Sequence, residues 1–139
     1  MDIALLRSSF ELVVDRNLHL VARFYEIFFA RYPQVRPLFG RSSRGRQEQM
    51  LTSALVAVLD HLEDPAWLES TLGALGEKHV AYGVTDEMYG WVGECLLAAI
   101  AEAAGPDWSP ALEAAWTAAY GAISGAMLAG TRKEITKAA

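Results

Sequence analysis

The chain has 139 residues, is 53% hydrophobic and 10% aromatic, and carries a net charge of -5. This describes one domain with enough apolar residues for a full core, which excludes extensive disorder. The acidic balance argues against a nucleic-acid partner, and the single cysteine, Cys95, excludes an intrachain disulfide and a cysteine metal cluster.

Met1 to Arg7 places Asp2 where a secretory leader would carry positive charge, and its apolar run is too short for one. No run of about 18 uncharged apolar residues follows, so no transmembrane helix is expected. The expected protein is soluble and cytoplasmic. Helical spacing of Leu5, Leu6, Phe10, Val13 and Val14 predicts a first helix over 2–15. Leu18, Val21, Phe24, Tyr25, Phe28 and Phe29 predict a second over 17–31. Pro33 and Pro37 bracket a short turn ending at Leu38-Phe39, and Gly40 to Gly45 reads as a basic loop. The next helix, about 46–62, gathers Leu51, Leu55, Val58, Leu59 and Leu62 on one face.

Asp64-Pro65 is a helix start, with a capping acid before a proline suited to the first helical position. That helix ends near Gly83, a natural left-handed cap. Thr85 with Asp86 and Glu87 opens another, which runs to about Ala104 and stops at Gly105-Pro106. Ser109-Pro110 repeats the start signal for a long last helix, about 110–130, carrying Leu112, Trp116, Ala119, Tyr120, Ile123 and Met127. The domain is assigned to 1–130, and 131–139 to a polar tail expected to fray. No alternating strand pattern and no internal repeat occur. The expectation is an all-α fold of about six main helices plus a short turn.

Leu68, Leu72, Leu75 and His79 share one helical face. An imidazole ending such a stripe is either a buried histidine with an ordinary partner or a ligand for something sunk in the core. Polar residues inside a protein usually just find partners, so the residues alone leave both readings open. A helical interaction module also remains open at this point. His19 and His61 read as surface residues, and Cys95 as a small buried hydrophobe.

Further residues fall in order around His79. They are Phe24-Tyr25, then Tyr32-Pro-Gln-Val-Arg-Pro-Leu-Phe39, Gln47 with Leu51, Lys78-His79, Tyr89, Gly93 to Ile100, and Ala115-Trp116 to Tyr120-Gly121. The set resembles the globin family over residues 1 to 130, and more narrowly single-domain bacterial haemoglobins and the haem domain of flavohaemoglobins. That resemblance implies a pocket for haem b, with His79 as the axial iron ligand. A haem iron needs one strong protein ligand, and a neutral imidazole supplies it. The ligand's second nitrogen needs an acceptor to set its basicity. The Leu75 carbonyl, one turn back, is a candidate, and the resemblance adds Tyr89 as a partner.

On the other face the resemblance places Tyr25, Gln47 and Leu51. The Tyr25 hydroxyl would donate to a bound diatomic, Gln47 would donate or restrain Tyr25, and Leu51 would limit access. The loop before Gln47 is short, and a shift of one position would bring in Arg46 or Glu48 instead. Phe39 would pack flat on the porphyrin, Val84 and Val92 would touch its edge, and Arg41, Arg44 or Arg46 would reach a propionate.

Dioxygen, carbon monoxide and nitric oxide are the expected partners. Flavohaemoglobins add a reductase; this chain ends at Ala139, so a separate reductase or a small reductant is the expected electron source for any nitric oxide dioxygenase activity. A ligand sensor acting through a partner is an alternative. In the flavohaemoglobin branch a glutamate near the end of the last helix joins the histidine and tyrosine. That position is Thr131 here, with Glu134 one turn on. Loss of the carboxylate lowers the imidazole's anionic character and favours binding dioxygen over splitting its bond.

Overall fold

The computed structural model describes residues 2–16, 19–40 and 43–138, and for Arg16 and residues 132–138 the backbone alone. Leu18 and Arg41, both singled out from the sequence, lie outside the described residues. The described residues form six α-helices and two 3-10 segments: α1 (Ile3–Arg16), α2 (Leu20–Arg31), a 3-10 helix (Pro33–Phe39), α3 (Arg44–Asp60), α4 (Pro65–Ala81), α5 (Asp86–Ala104), a 3-10 turn (Gly105–Asp107) and α6 (Pro110–Ala138). No strand occurs among the described residues, as the periodicity predicts.

The start signals act as their chemistry requires. The Asp64 carboxylate accepts from the Trp67 N–H at 3.2 Å, and the Ser109 hydroxyl accepts from the Leu112 N–H at 3.2 Å. Helix α3 starts two residues earlier than the spacing predicts. Ser43 caps it by accepting from the Arg46 N–H, which draws Arg44 and Gly45 into the first turn. Helix α6 continues to Ala138, through the segment expected to be a tail. At the start of that segment the buried Thr131 ties its turn to α4.

The main core joins Leu6 and Val13 of α1, Phe24, Tyr25 and Phe28 of α2, Cys95, Leu96 and Ile100 of α5, and Trp116 of α6. Each such buried side chain contributes about 1.5–3 kcal/mol of transfer free energy. A second cluster holds Val58, Leu72, Tyr89 and Met127. Leu62 packs on both. Helix α4 lies along α6, and α2 along α5; α3 rests on α2, and among the described residues it makes no extended contact with α4. Val58 of α3 and Leu72 of α4 meet in the second cluster, while further apolar side chains of the two helices, Leu51 and Leu55 on α3 and Leu68 and Leu75 on α4, stay half-exposed.

Glycine sets the α4–α6 approach. A Cβ on Gly76 would fall 2.1 Å from the Met127 carbonyl oxygen, and one on Gly130 would fall 2.2 Å from that of Gly73. No side chain fits at either position.

Candidate functional site

His79 sits in the last turn of α4, where the N–H of Tyr82 donates to the carbonyls of Lys78 and His79. Gly83 then turns the chain at φ 91°. The His79 Nδ1 lies 2.8 Å from the Leu75 carbonyl oxygen. A carbonyl only accepts, so Nδ1 carries the proton and the neutral ring leaves its lone pair on Nε2. Among the described residues Nε2 has no hydrogen-bond partner. No described buried side-chain nitrogen or oxygen lacks one either, so Nε2 opens onto space.

Behind His79 stands Tyr89, its ring centroid 6.5 Å away and tilted by 35°. Its phenol lies beside the Thr131 side chain. Burial raises the Tyr89 phenol above its ordinary range, and the neighbouring Thr131 hydroxyl opposes this. The single Thr131 hydroxyl proton is shared between the carbonyls of Met127 at 3.2 Å and Gly76 at 3.4 Å. The missing Cβ on Gly76 permits that last contact. Sequence reasoning offered both Leu75 and Tyr89 as partners for the second imidazole nitrogen; the structure gives the bond to Leu75, and Tyr89 faces Thr131. The Tyr120 hydroxyl holds the Tyr89 carbonyl at 2.6 Å, with its ring filling the space over Gly93.

Tyr25 is 5% exposed and lies among aromatic rings: Phe24 at 5.0 Å, Phe29 at 5.7 Å and Phe39 edge-on at 5.8 Å. Burial pushes its phenol up to about 12, against a downward pull from Arg44 and with a small rise from Glu48. Its hydroxyl reaches the main-chain carbonyl of Gln47 at 3.4 Å, too long for a strong O–H···O bond, so it is free to turn. The three register choices separate clearly. Arg46 is exposed, Glu48 pairs with Arg44 at 3.2 Å, and Gln47 lines a cavity with Tyr25.

Phe39, Leu51 and Val92 pack, half-buried, on the main core, while Leu75 and Val84 pack on the second cluster. The predicted site residues thus divide between the two clusters. Arg44 lies over the rings of Tyr25 (5.4 Å) and Phe29 (5.7 Å). His61 departs from the surface position expected of it: it is half-buried, its ring stacked on Trp67 at 3.7 Å. The indole of Trp67, from the first turn of α4, covers it.

The donor set decides what would fit here. No group of three or more His, Cys, Asp or Glu able to hold a metal ion occurs among the described residues. One imidazole beside half-exposed apolar side chains suits a metal that brings its own macrocycle, and does not suit a bare ion. The residues fit haem on these grounds.

Sequence reasoning missed Phe29, Arg36 and Gly40, which with Tyr25, Phe39, Arg44 and Gln47 line a cavity of about 140 Å³. The available signal was charge: Arg31, Arg36, Arg41, Arg44 and Arg46 follow one another with no acid between Glu26 and Glu48.

The family model described as Globin matches residues 22–127. A flavohaemoprotein of Bacillus thuringiensis is 33% identical over 129 residues, covering 91% of this chain and 31% of that protein. The chain therefore spans about a third of the length of the curated relatives it matches. Among solved structures, a bacterial globin from Campylobacter jejuni is similar with TM-score 0.82 and 28% identity, over 96% of each chain. An engineered carbene transferase, derived from a candidate nitric oxide dioxygenase of Rhodothermus marinus, is similar with TM-score 0.82 and 29% identity, over 99% of this chain and 96% of that one.

Proposed function

The chain belongs to the globin family, and we propose that it holds haem b and reversibly binds dioxygen and other diatomic ligands, including carbon monoxide and nitric oxide. One observation carries this reading. The His79 imidazole is fixed through Nδ1 by the Leu75 carbonyl, with Nε2 left without a described partner at the end of a half-exposed stripe of Leu68 and Leu75. Haem would supply an iron with one coordination position for His79 and one for the diatomic.

The chain's own residues do the rest. The Leu75 carbonyl accepts from Nδ1 and so orients the imidazole, leaving Nε2 for the iron. Thr131 stands where a carboxylate would make the imidazole more anionic, and a hydroxyl supplies no negative charge. This favours holding dioxygen over splitting it. On the other side the Tyr25 hydroxyl, held only by a weak contact with the Gln47 carbonyl, would be available to donate to a diatomic. The Gln47 side chain would donate beside it, and Leu51 and Phe39 would limit access. Val84 and Val92 would contact the haem edge, with Tyr89 behind His79.

A second reading is the oxidation of nitric oxide to nitrate, with electrons from a reductase. The flavohaemoprotein relatives and the Rhodothermus protein favour it. Absorption spectra of the ferric, ferrous and carbon-monoxide-treated ferrous protein test the primary reading. A Soret band that sharpens and shifts with carbon monoxide is expected; no band after haem addition would leave a haem-free helical domain.

A further inference from the structure

The basic run at the end of α2 and the start of α3 is not a plain surface patch. Two of its guanidinium groups lean inward over one ring: Arg36 stands 5.1 Å from the centroid of Phe29 and Arg44 stands 5.7 Å from it. Both line the 140 Å³ cavity whose inner wall is Tyr25, Phe29 and Phe39. Gly40, at φ 58°, leaves the mouth without a side chain. Arg44 is anchored by the Ala22 carbonyl at 2.8 Å and half-neutralised by Glu48 at 3.2 Å. Arg36 has no acidic partner among the described residues, so the cavity keeps a net positive charge in a chain of net charge -5.

We infer that this cavity is a binding site for a small planar oxyanion of the nitrate or nitrite class. A guanidinium fork matches such an anion with two parallel hydrogen bonds. The aromatic wall lowers the local dielectric and strengthens the pairing. The volume admits a small anion with a few waters and excludes a nucleotide. Inward-leaning arginines favour a small ligand over a protein partner, which would need the charges displayed outward.

The biological role rests on the nitric oxide reading: nitric oxide, dioxygen and one electron from a reductase give nitrate (NO + O2 + e- → NO3-). The cavity shares Tyr25 and Gln47 with the proposed ligand site, so it would receive that product as it leaves.

The test is calorimetric titration of nitrate into the carbon-monoxide-saturated ferrous protein, at constant ionic strength set by a bulky sulfonate. Carbon monoxide keeps nitrate off the iron, so the heat reports the arginine site alone. One saturable site is expected, weakened at least tenfold by Arg36→Gln and by Arg44→Gln and unchanged by Arg46→Gln. Arg36→Gln is the decisive variant, because Arg36 makes no hydrogen bond to a described residue and its loss leaves the fold intact by circular dichroism. No saturable binding, or equal weakening by Arg46→Gln, overturns the inference. If no carbon monoxide complex forms, the haem reading fails by itself, and the titration on the purified protein still decides the anion site.

Discussion

Replacing Tyr25 by Phe removes one oxygen and leaves the ring packing of Phe24, Phe29 and Phe39 in place. The lost contact in the free protein is the 3.4 Å approach to the Gln47 carbonyl, which is beyond a normal O–H···O length. Folding stability is therefore expected to change by less than about 1 kcal/mol. In the liganded protein the hydroxyl would bond a diatomic carrying partial negative charge, an interaction of about 1–3 kcal/mol. A loss of about 1.4–2.8 kcal/mol corresponds to roughly ten- to a hundredfold faster dioxygen dissociation. Stopped-flow displacement of dioxygen by carbon monoxide reads that rate directly. Equal off-rates in the two proteins would refute the donor role of Tyr25.

Gly76→Ala or Gly130→Ala drives a methyl into a backbone carbonyl of the facing helix; each should cost about 1–3 kcal/mol and lower the melting temperature by several degrees, and an unchanged melting curve would contradict the close approach. The Tyr25 phenol lies near 12 in the folded chain against an ordinary 10, so the folded state holds its proton more tightly. The stability this contributes is full below pH 10 and is lost as pH rises towards 12; urea titrations across that range should show the decline, and Tyr25→Phe should flatten it. Thr131→Glu places a carboxylate beside Tyr89 and should raise the iron–histidine stretching frequency in resonance Raman spectra; an unmoved frequency would separate Thr131 from His79.

The helices were legible because their signals are local. Asp64-Pro65 and Ser109-Pro110 each name a cap and a first-turn proline, and the structure uses both. The Leu75 carbonyl was legible for the same reason, since it lies one helical turn from His79. The Thr131–Gly76 contact was not, because it depends on two helices approaching through glycines far apart in sequence. The stacking of His61 on Trp67 was equally hidden, since His61 follows α3 and Trp67 lies in the first turn of α4, with no period shared between them. Arg36 was overlooked because its position over Phe29 follows from the 3-10 path between Pro33 and Phe39, which carries no hydrophobic period to read.

Haem titration of the apoprotein, following the Soret band for the native chain and for His79→Ala, tests the central claim most directly. The native chain should bind one haem and give a six- or five-coordinate ferrous spectrum with histidine ligation, while His79→Ala should bind haem weakly and release it readily to an acceptor protein. Identical spectra and identical haem retention in the two proteins would contradict the assignment of His79.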